Sequence, residues 1–283
     1  MPEWKLRVIE TPGEMTAVEN LQRLVWTAPD IEIVPKDLLL AVVHNGGLAI
    51  GAFVEDKLVG AVFGFPGFYT TPDGPRLKHH SHILAVHPEW RAQGIGFALK
   101  RAQWQMVRKQ GLDRITWTYD PLISRNAQLN IVRLGAVCST YLRSAYGDMQ
   151  DGLNAGLPSD RFQVDWWLNS ERVKRRLSRR SRPALALAHY RAAEATLLEA
   201  RLEGESMAHP PEETPVLNGT LLLVEIPFDF PTLRAVDLAL ARDWRFYARE
   251  VFEEAFTKGY LVTDFVIDKG RSFYVLTHGE TTL

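Results

Sequence analysis

The strongest constraint on the fold lies in segment 81–102, which reads SHILAVHPEWRAQGIGFALKRA. Its run Ile83–Val86 is short and apolar, which is typical of a buried strand, and Pro88 ends the strand because proline cannot donate to a ladder. Behind Gly94 the apolar residues return at helical spacing, which predicts a helix. A helix start of this kind presents unpaired N–H groups together with the positive end of the helix dipole. The turn therefore predicts a site for an anion such as a phosphate.

Composition narrows the class of protein. The chain has 283 residues, a formal net charge of -1 and one cysteine, Cys138. The near-neutral charge gives no general attraction to nucleic acid or to an anionic membrane. Cys138 lies in an apolar run and is expected to be a buried, inert thiol. The amino terminus lacks the pattern of a signal peptide, and polar residues interrupt the longest apolar region, Leu38–Phe53. We therefore expect a cytoplasmic protein with no membrane partner.

The first 170 residues alternate between strand and helix patterns. Apolar runs on both sides of Glu55–Lys57 predict a hairpin, and the Pro- and Gly-containing stretch Thr70–Pro75 predicts a loop. The remaining elements are a strand at Lys5–Glu10, helices at Glu14–Trp26 and from Pro35, a strand at 113–120, a helix at 124–136, and strands at Ala136–Tyr141 and Phe162–Leu168.

The pattern changes after residue 170. Seven lysines and arginines lie between Arg172 and Arg182; this run predicts a solvated helix or linker, with a nucleic-acid patch as the alternative. The run lacks aromatic residues for base stacking, which favours the linker. An Ala-rich helix is expected over Pro183–Leu202, then a mobile loop over Gly204–Pro215. A strand, a long helix over Pro231–Lys258 and a hairpin at Lys269–Gly270 complete the chain.

The sequence VHPEWRAQGIG resembles the acyl-CoA-binding signature of the GNAT superfamily of N-acyltransferases, Arg/Gln-x-x-Gly-x-Gly/Ala. Arg91, Gly94 and Gly96 occupy its three fixed positions. Absent side chains at the glycines would let the backbone approach a pyrophosphate, and Arg91 would add charge-assisted hydrogen bonds. A tight turn without a ligand is the alternative, but it leaves Arg91 without a role.

The resemblance implies a fold and a domain layout. The expected fold is α/β (α+β), a mixed and mostly antiparallel sheet flanked by helices, with a C-terminal β-α-β-β extension. Residues 1–170 would form the acyl-CoA-binding domain, 171–215 a helical linker and mobile loop, and 216–283 a segment packed on the first domain. The strings WTYDPLISRNAQLN and YGDMQDGLNAGLPSDRF also resemble a little-characterised bacterial branch of the superfamily with an extra C-terminal half.

The resemblance also implies the co-substrate, acetyl-CoA or another acyl-CoA, and no metal. Its pantetheine arm would pair with the backbone of the signature strand as an added strand does. An asparagine at the start of the helix at 124–136 usually contacts the CoA arm. The residues expected to bind CoA are Leu84, Ala85, Val86, Arg91, Ala92, Gln93, Gly94, Ile95, Gly96 and Asn126.

The catalytic residues are less clearly marked. His82 precedes the signature strand where related enzymes often have a carboxylate base, and a neutral imidazole could accept the amine proton. The alternative, given equal weight, is that His82 is a hydrogen-bonded structural histidine. Many relatives have a tyrosine that protonates the leaving thiolate four residues before the glycine of the later helix, and Ile131 occupies that position here. Tyr141 and Tyr146 are the candidate replacements.

The acceptor class is an amine, expected to be a small molecule such as an amino acid because some relatives are associated with N-acylated amino-acid metabolism. Asp120 could bind a cationic amine, although an Asp-Pro turn is the plainer interpretation. Arg125 and Arg161 are candidate clamps for a carboxylate. A non-enzymatic acyl-CoA-binding protein is the competing function, supported by the missing tyrosine. Homodimerisation is a further expectation.

Overall fold

The computed structural model describes residues 3–26, 33–147, 156–178, 185–201, 207–212 and 216–278. The chain divides into two compact units, and the changeover lies after Trp117. The first unit holds the described residues before that point together with Trp167–Asn169, and the second holds the remaining described residues. The extent of an acyl-CoA-binding domain to about residue 170 remains a prediction.

The first unit is a sheet with helices on both faces. Its strands are β1 (Lys5–Val8), β2 (Leu48–Val54), β3 (Lys57–Thr71), β4 (Gly74–Val86) and β5 (Arg114–Tyr119), in that order across the sheet. Its helices are α1 (Pro12–Trp26), α2 (Lys36–His44) and α3 (Ile95–Lys109). Neighbouring strands are antiparallel except for the parallel pair β4–β5.

Each face of this sheet has its own helices. On one face, Met15 of α1 and Leu39 of α2 share an apolar core with Phe63 and Ile83. On the other face, Lys100 of α3 donates from Nζ to the Ser81 hydroxyl at 2.9 Å. Helix α3 therefore covers one side of β4, and helices α1 and α2 cover the other.

The prediction of a loop over Thr70–Pro75 is wrong. β3 and β4 pair from Thr71 opposite Gly74 as far as Gly60 opposite Val86, so the connection is a tight turn. The Thr71 hydroxyl donates to the Gly74 carbonyl at 2.8 Å, and Gly74 has φ +107°, a left-handed conformation that glycine adopts without strain. Turn residues here mark the tip of a long hairpin rather than a loop.

A bulge interrupts the pairing of these two strands at His82. Ile83 lies opposite Phe63, whereas the next pair is Ser81 opposite Gly64, so β4 carries one extra residue. An extra residue shifts the alternation of side chains by one position. Ser81 contacts α3 before the bulge, and Leu84 and Val86 lie beside Gly96 of α3 after it. The bulge was not predicted.

The second unit contains a sheet in the order β7-β6-β10-β11-β9-β8. Its neighbouring strands are antiparallel apart from β8 and β9. The strands are β6 (Val137–Leu142), β7 (Arg161–Trp167), β8 (Thr196–Leu198), β9 (Leu221–Ile226), β10 (Leu261–Asp268) and β11 (Arg271–Thr277). The helices are α4 (Ser124–Ala127), a π-helical segment (Gln128–Arg133), α5 (Glu171–Leu177), α6 (Leu187–Ala192), α7 (Phe230–Val236) and α8 (Leu238–Thr257).

The expected Ala-rich helix over Pro183–Leu202 is wrong. Of the residues that the structure describes there, only Leu187–Ala192 is helical, and Glu194 with φ +55° turns the chain. The strand Thr196–Leu198 follows and pairs in parallel with β9, and the Leu198 side chain is fully buried. Burial of leucines against the edge of a sheet outweighs a local preference for helix. The loop expected at Gly204–Pro215 lies partly outside the described residues.

The single helix expected over Pro231–Lys258 is also wrong, because the chain breaks at Asp237. This residue has an extended backbone, and its carboxylate accepts a hydrogen bond from the Leu240 N–H at 2.9 Å, which caps α8. Val236, the residue before the break, is 71% exposed. None of the described helices combines the length and apolar character required to cross a bilayer.

A buried polar network joins α3 to β4. Lys100 donates to Ser81 and to the Gln103 side-chain oxygen, each at 2.9 Å, and Gln103 Nε2 lies 3.2 Å from His79 Nε2. His79 has no exposed surface. Burial, followed by the positive charge of Lys100, lowers the pKa of His79 from 6.5 to about 3. His79 is therefore neutral in the folded protein.

This network predicts a loss of stability in mild acid. Unfolded His79 takes up a proton below pH 6.5 but folded His79 does not until about pH 3, so its stabilising contribution is complete above pH 6.5 and is lost as the pH falls through that window. Between pH 7 and 5 the loss amounts to about 2 kcal/mol. Urea unfolding at both pH values should show a smaller loss for His79→Gln. The His44→Gln control, at an exposed position, should behave as the unmodified protein, and an equal loss in all three would contradict the prediction.

Candidate functional site

The turn between β4 and α3 carries the geometry of an anion site. Ala92 and Gly94 have φ +62° and +80°, and Gly94 caps α3 in the left-handed conformation. The first bond of the helix runs from the Ala98 N–H to the Gly94 carbonyl at 3.0 Å. The N–H groups of Ile95 and Gly96 therefore have no partner within the helix. They point to the helix's amino-terminal end, where the dipole favours negative charge.

The two glycines of the turn have different surroundings. A Cβ placed on Gly94 would meet nothing within 4 Å, so the space beside this residue is open. A Cβ on Gly96 would lie 3.8 Å from Val86 Cγ2 and 3.9 Å from Leu84 Cδ2. Gly96 thus packs beside the end of β4, whereas Gly94 leaves room for a ligand to approach the backbone.

Side chains around the turn are anchored to β4 and to the short helical turn Pro88–Trp90. Arg91 is exposed, and its Nε lies 3.4 Å from the Val86 carbonyl. Gln93 Nε2 lies at the same distance from the Glu89 carbonyl. His87 Nδ1 accepts from the Glu89 N–H at 3.3 Å, so His87 caps the short helical turn. Arg91 therefore reaches the same end of β4 as the open amides.

Beyond His80, one side of β4 has no strand paired with it within the first unit as described. The His87 N–H donates to the Val59 carbonyl at 2.9 Å, which fixes the alternation of β4 against β3. By that alternation the backbone groups of Leu84 and Val86 point away from β3. The ladder on the other side, to β5, pairs only His79 and His80 within the first unit as described. An extended ligand could therefore add to this edge, with Ala85 between the two pairing residues.

His82 lies on the opposite face from α3, where it lines a cavity of about 450 Å³. Its ring centroid is 6.0 Å from that of Phe65 and 5.9 Å from that of His80, so the two histidines share a face. Desolvation lowers the pKa of His82 below 6.5, and desolvation followed by the neighbouring charges lowers the pKa of His80 to about 4. Both imidazoles are neutral at pH 7, and His82 is exposed enough to accept a proton.

The second unit holds the predicted Asn126 and Ile131. Asn126 is half-buried in the short helix α4, at the start of the predicted motif. Ile131 has no exposed surface and lies in the π-helical segment, where the Leu134 N–H donates to the Leu129 carbonyl five residues back. An isoleucine in this place cannot donate a proton. The π-helical turn, which often accompanies a functional site, was not predicted.

The two candidate tyrosines have their own partners within the second unit. The Tyr141 hydroxyl donates to Asp160 Oδ2 at 2.9 Å, and burial followed by the charge of Asp160 raises its pKa above the usual value. Tyr146 is half exposed, and its hydroxyl lies 2.6 Å from the Thr118 hydroxyl. The exposed hydroxyl of Tyr146 is the more accessible proton donor of the two, and a catalytic role for either remains a prediction.

Two of the substrate candidates, Asp120 and Arg161, lie in a cluster with Arg245, which the sequence did not indicate. Asp120 accepts two bonds from Arg245 at 2.9 and 2.6 Å, and Arg161 Nη1 lies 4.0 Å from the same carboxylate. Burial raises the pKa of Asp120, but its pairing with Arg245 outweighs burial and the net shift is downward. Asp120 Oδ1 also accepts from the Leu122 N–H, as expected of an Asp-Pro turn. Arg125 is exposed.

The basic run after residue 171 contributes to the second unit. Arg172 Nε donates to the Gly135 carbonyl at 3.0 Å, and Arg176 pairs with Asp264 at 2.8 Å. These arginines bind the protein itself, which supports the linker interpretation over a nucleic-acid patch. The segment 179–184 lies outside the described residues. Cys138 is fully buried, and burial raises the pKa of its thiol, as expected for an inert cysteine.

Residues 15–128, which contain the turn, the open strand edge and His82, match the model of the family described as acetyltransferase (GNAT) family. No curated protein matches the sequence. Within the described parts of the chain, no three His, Cys, Asp or Glu side chains are grouped so as to hold a metal ion.

Solved structures with similarity to the chain include two acetyltransferases and Arabidopsis thaliana Naa50. The ribosomal-protein-S18-alanine N-acetyltransferase from Escherichia coli is 15% identical; the match covers 59% of this chain and 94% of that one, with a TM-score of 0.45. An aminoglycoside 6'-acetyltransferase type Ii is 17% identical, with coverage of 58% and 98% and a TM-score of 0.45. Arabidopsis thaliana Naa50, in complex with a bisubstrate analogue, is 16% identical, with coverage of 57% and 97% and a TM-score of 0.44.

Proposed function

Since residues 15–128 match the model of the acetyltransferase (GNAT) family, we propose that the protein transfers an acyl group from acyl-CoA to the amine of a small molecule. The observation that carries the proposal is the open turn at Gly94 beside the open edge of β4. One feature suits a pyrophosphate and the other suits an extended amide chain. CoA contains both groups in one molecule.

In the proposed complex the pyrophosphate lies against the N–H groups of Ile95 and Gly96, near the Arg91 guanidinium. The backbone positions at Ala92 and Gln93 complete the turn. The pantetheine amides pair with the outward-facing backbone groups of Leu84 and Val86 as an added strand would. Asn126 is the proposed further contact of the CoA arm.

The reaction is a direct attack in a ternary complex. The amine nitrogen attacks the thioester carbonyl carbon, the C–N bond forms and the C–S bond breaks, so that the products are an amide and CoA thiolate. His82 accepts the proton that the nitrogen loses, directly or through one water. The largest reduction of the activation free energy comes from holding the two reactants together, about 7–11 kcal/mol in favourable cases. A moderate base such as a neutral imidazole is therefore sufficient.

The thiolate needs a proton, and Ile131 cannot supply it. Tyr141 and Tyr146 remain the proposed donors, with solvent as the third source. An acyl-CoA-binding protein without catalysis is the second candidate function, and the fully buried Ile131 favours it. Thiol release from acetyl-CoA or succinyl-CoA across a panel of amines separates the two functions, because a binding protein would hold CoA without releasing thiol.

The finer features of the function are also proposals. We propose an acetyl or other short acyl group, succinyl included, and an amino acid or similar small amine as acceptor. Asp120, Arg125 and Arg161 are proposed to act on the acceptor's charges, although Asp120 is already paired with Arg245. A bacterial source is proposed on the sequence resemblance, a cytoplasmic location on the charge and the amino-terminal pattern, and a homodimer as a further proposal.

The Arg91→Ala substitution tests the anion site. It removes charge-assisted bonds to the pyrophosphate, so CoA should bind more weakly by about 1.5–3 kcal/mol, the range for a hydrogen bond to a charged group. Calorimetric titration of CoA measures the change, and thermal melting confirms the fold. Arg76→Ala is the matched control, since Arg76 is an exposed arginine at the start of β4, at the opposite end of the strand from the turn. Unchanged CoA affinity in Arg91→Ala would count against the site.

A further inference from the structure

The residues that the structure describes around the cavity beside His82 belong to the first unit and lie on or next to α2, β3 and β4. Its apolar lining consists of Val34, Leu38, Val42, Phe63, Phe65 and Pro66. The polar side chains in the lining are those of Asn45 and His82. Its volume of about 450 Å³ is within the range of small-molecule sites.

We propose that this cavity receives the body of the acceptor, and that the acceptor is a monoamine with an apolar, uncharged body. This inference rests on the proposed acyl transfer and names the substrate class of that same site. An apolar amino acid belongs to this substrate class, because its side chain would lie inside the cavity and its carboxylate at the open end.

The two faces of β4 separate the two substrates. The anion site and the side chains of Leu84 and Val86 lie on the α3 face, whereas the cavity lies on the face covered by α1 and α2. The bulge at His82 is the point at which the alternation shifts. An acyl-CoA bound along the strand edge leaves the cavity free, and the His82 ring in its lining faces the amine.

The polarity of the lining selects among amines. The lining contains no carboxylate and no lysine or arginine among the residues that the structure describes. Asn45 Nδ2 already donates to the Ala41 carbonyl at 2.7 Å. A second ammonium group inside this cavity would lose its hydration without gaining a counter-charge, which is unfavourable. An apolar body instead removes the surfaces of Leu38, Phe65 and Pro66 from water.

A pair of amines of equal length tests the assignment. Hexylamine and 1,5-diaminopentane differ only in the terminal group, methyl against ammonium. With acetyl-CoA as donor and thiol release as readout, we expect kcat/KM for hexylamine to be at least about 10-fold higher. Calorimetry of each amine with the CoA-saturated protein should give the same order of affinities.

One variant and its control test whether the preference between the two amines arises at the lining of the cavity. Leu38 is 50% exposed in the first turn of α2, so Leu38→Asp is compatible with folding and places a carboxylate in the lining. It should reduce the preference for hexylamine over 1,5-diaminopentane by at least about 10-fold. Leu24→Asp makes the same change on α1, outside the lining, at a residue that is 47% exposed. It should leave the preference unchanged.

The outcomes are distinct. Equal rates for the two amines, preference for the diamine, or an equal response of both variants would overturn the assignment of the cavity while acyl transfer stands. If CoA does not bind and no amine supports thiol release, the proposed function fails and the cavity assignment fails with it.

Discussion

The Gly94→Val substitution is expected to weaken CoA binding at least about 100-fold, which corresponds to about 2.7 kcal/mol. Gly94 has φ +80° and caps α3, and the space beside it is open. A β-branched side chain would occupy that space, where the pyrophosphate is proposed to lie, and would strain the left-handed backbone. Both effects disturb the N–H groups at the start of the helix. Calorimetric titration of CoA measures the loss.

Gly111→Val is the matched control for this experiment. Gly111 has the same φ of +80°, a Cβ added to it would also meet nothing within 4 Å, and it lies just past the other end of α3. The backbone strain is therefore the same, and only the place differs. We expect Gly111→Val to lower the melting temperature but to bind CoA normally. Equal losses of affinity in the two variants would show that strain, rather than an occupied site, explains the effect of Gly94→Val.

The turn at Gly94 could be predicted because its information is local. Pro88, the glycines and the apolar spacing of α3 are all contained in one short segment, and each residue has a conformational reason to be there. The strand-to-helix change and the helix start followed directly. The hairpin at Lys269–Gly270 is a second case, since the two strands meet through a two-residue connection.

Features that depend on distant partners could not be predicted. Asp120 is paired with Arg245, 125 residues away along the chain, and Asp160 is paired with Arg249. Nothing local at Asp120 or Asp160 distinguishes a buried ion pair from a turn. The bulge at His82 likewise depends on the register between β4 and β3. A strand pattern predicts alternation but not the single position at which it shifts.

In the second unit, tertiary packing also overrides local preferences for helix. The alanines before Thr196 favour helix, yet the chain pairs with β9 and buries Leu198. One helix was expected over Pro231–Lys258, although aspartate is a favourable N-cap and the chain uses Asp237 as one. In both places the sequence contained the competing signal, and only the packing decides which one prevails.

The His82→Ala substitution is expected to lower turnover by at least about 100-fold if His82 is the base, with the affinity for CoA nearly unchanged. His82 faces the cavity, whereas the CoA contacts are proposed on the α3 side and along the strand edge. Removal of the imidazole therefore takes away proton acceptance without disturbing the anion site. Steady-state thiol release gives turnover, and calorimetry gives CoA affinity.

The pH dependence of turnover separates a base from a structural histidine. Desolvation lowers the pKa of His82 below 6.5, so the neutral form persists into mild acid and the acid limb of kcat should fall below pH 6.5. The His80→Gln variant is the control, because His80 shares the face and contacts His82 but is absent from the lining of the cavity. We expect His80→Gln to keep the acid limb and His82→Ala to lose it along with most of the rate. An unchanged rate in His82→Ala would remove the base assignment and leave the anion site as it stands.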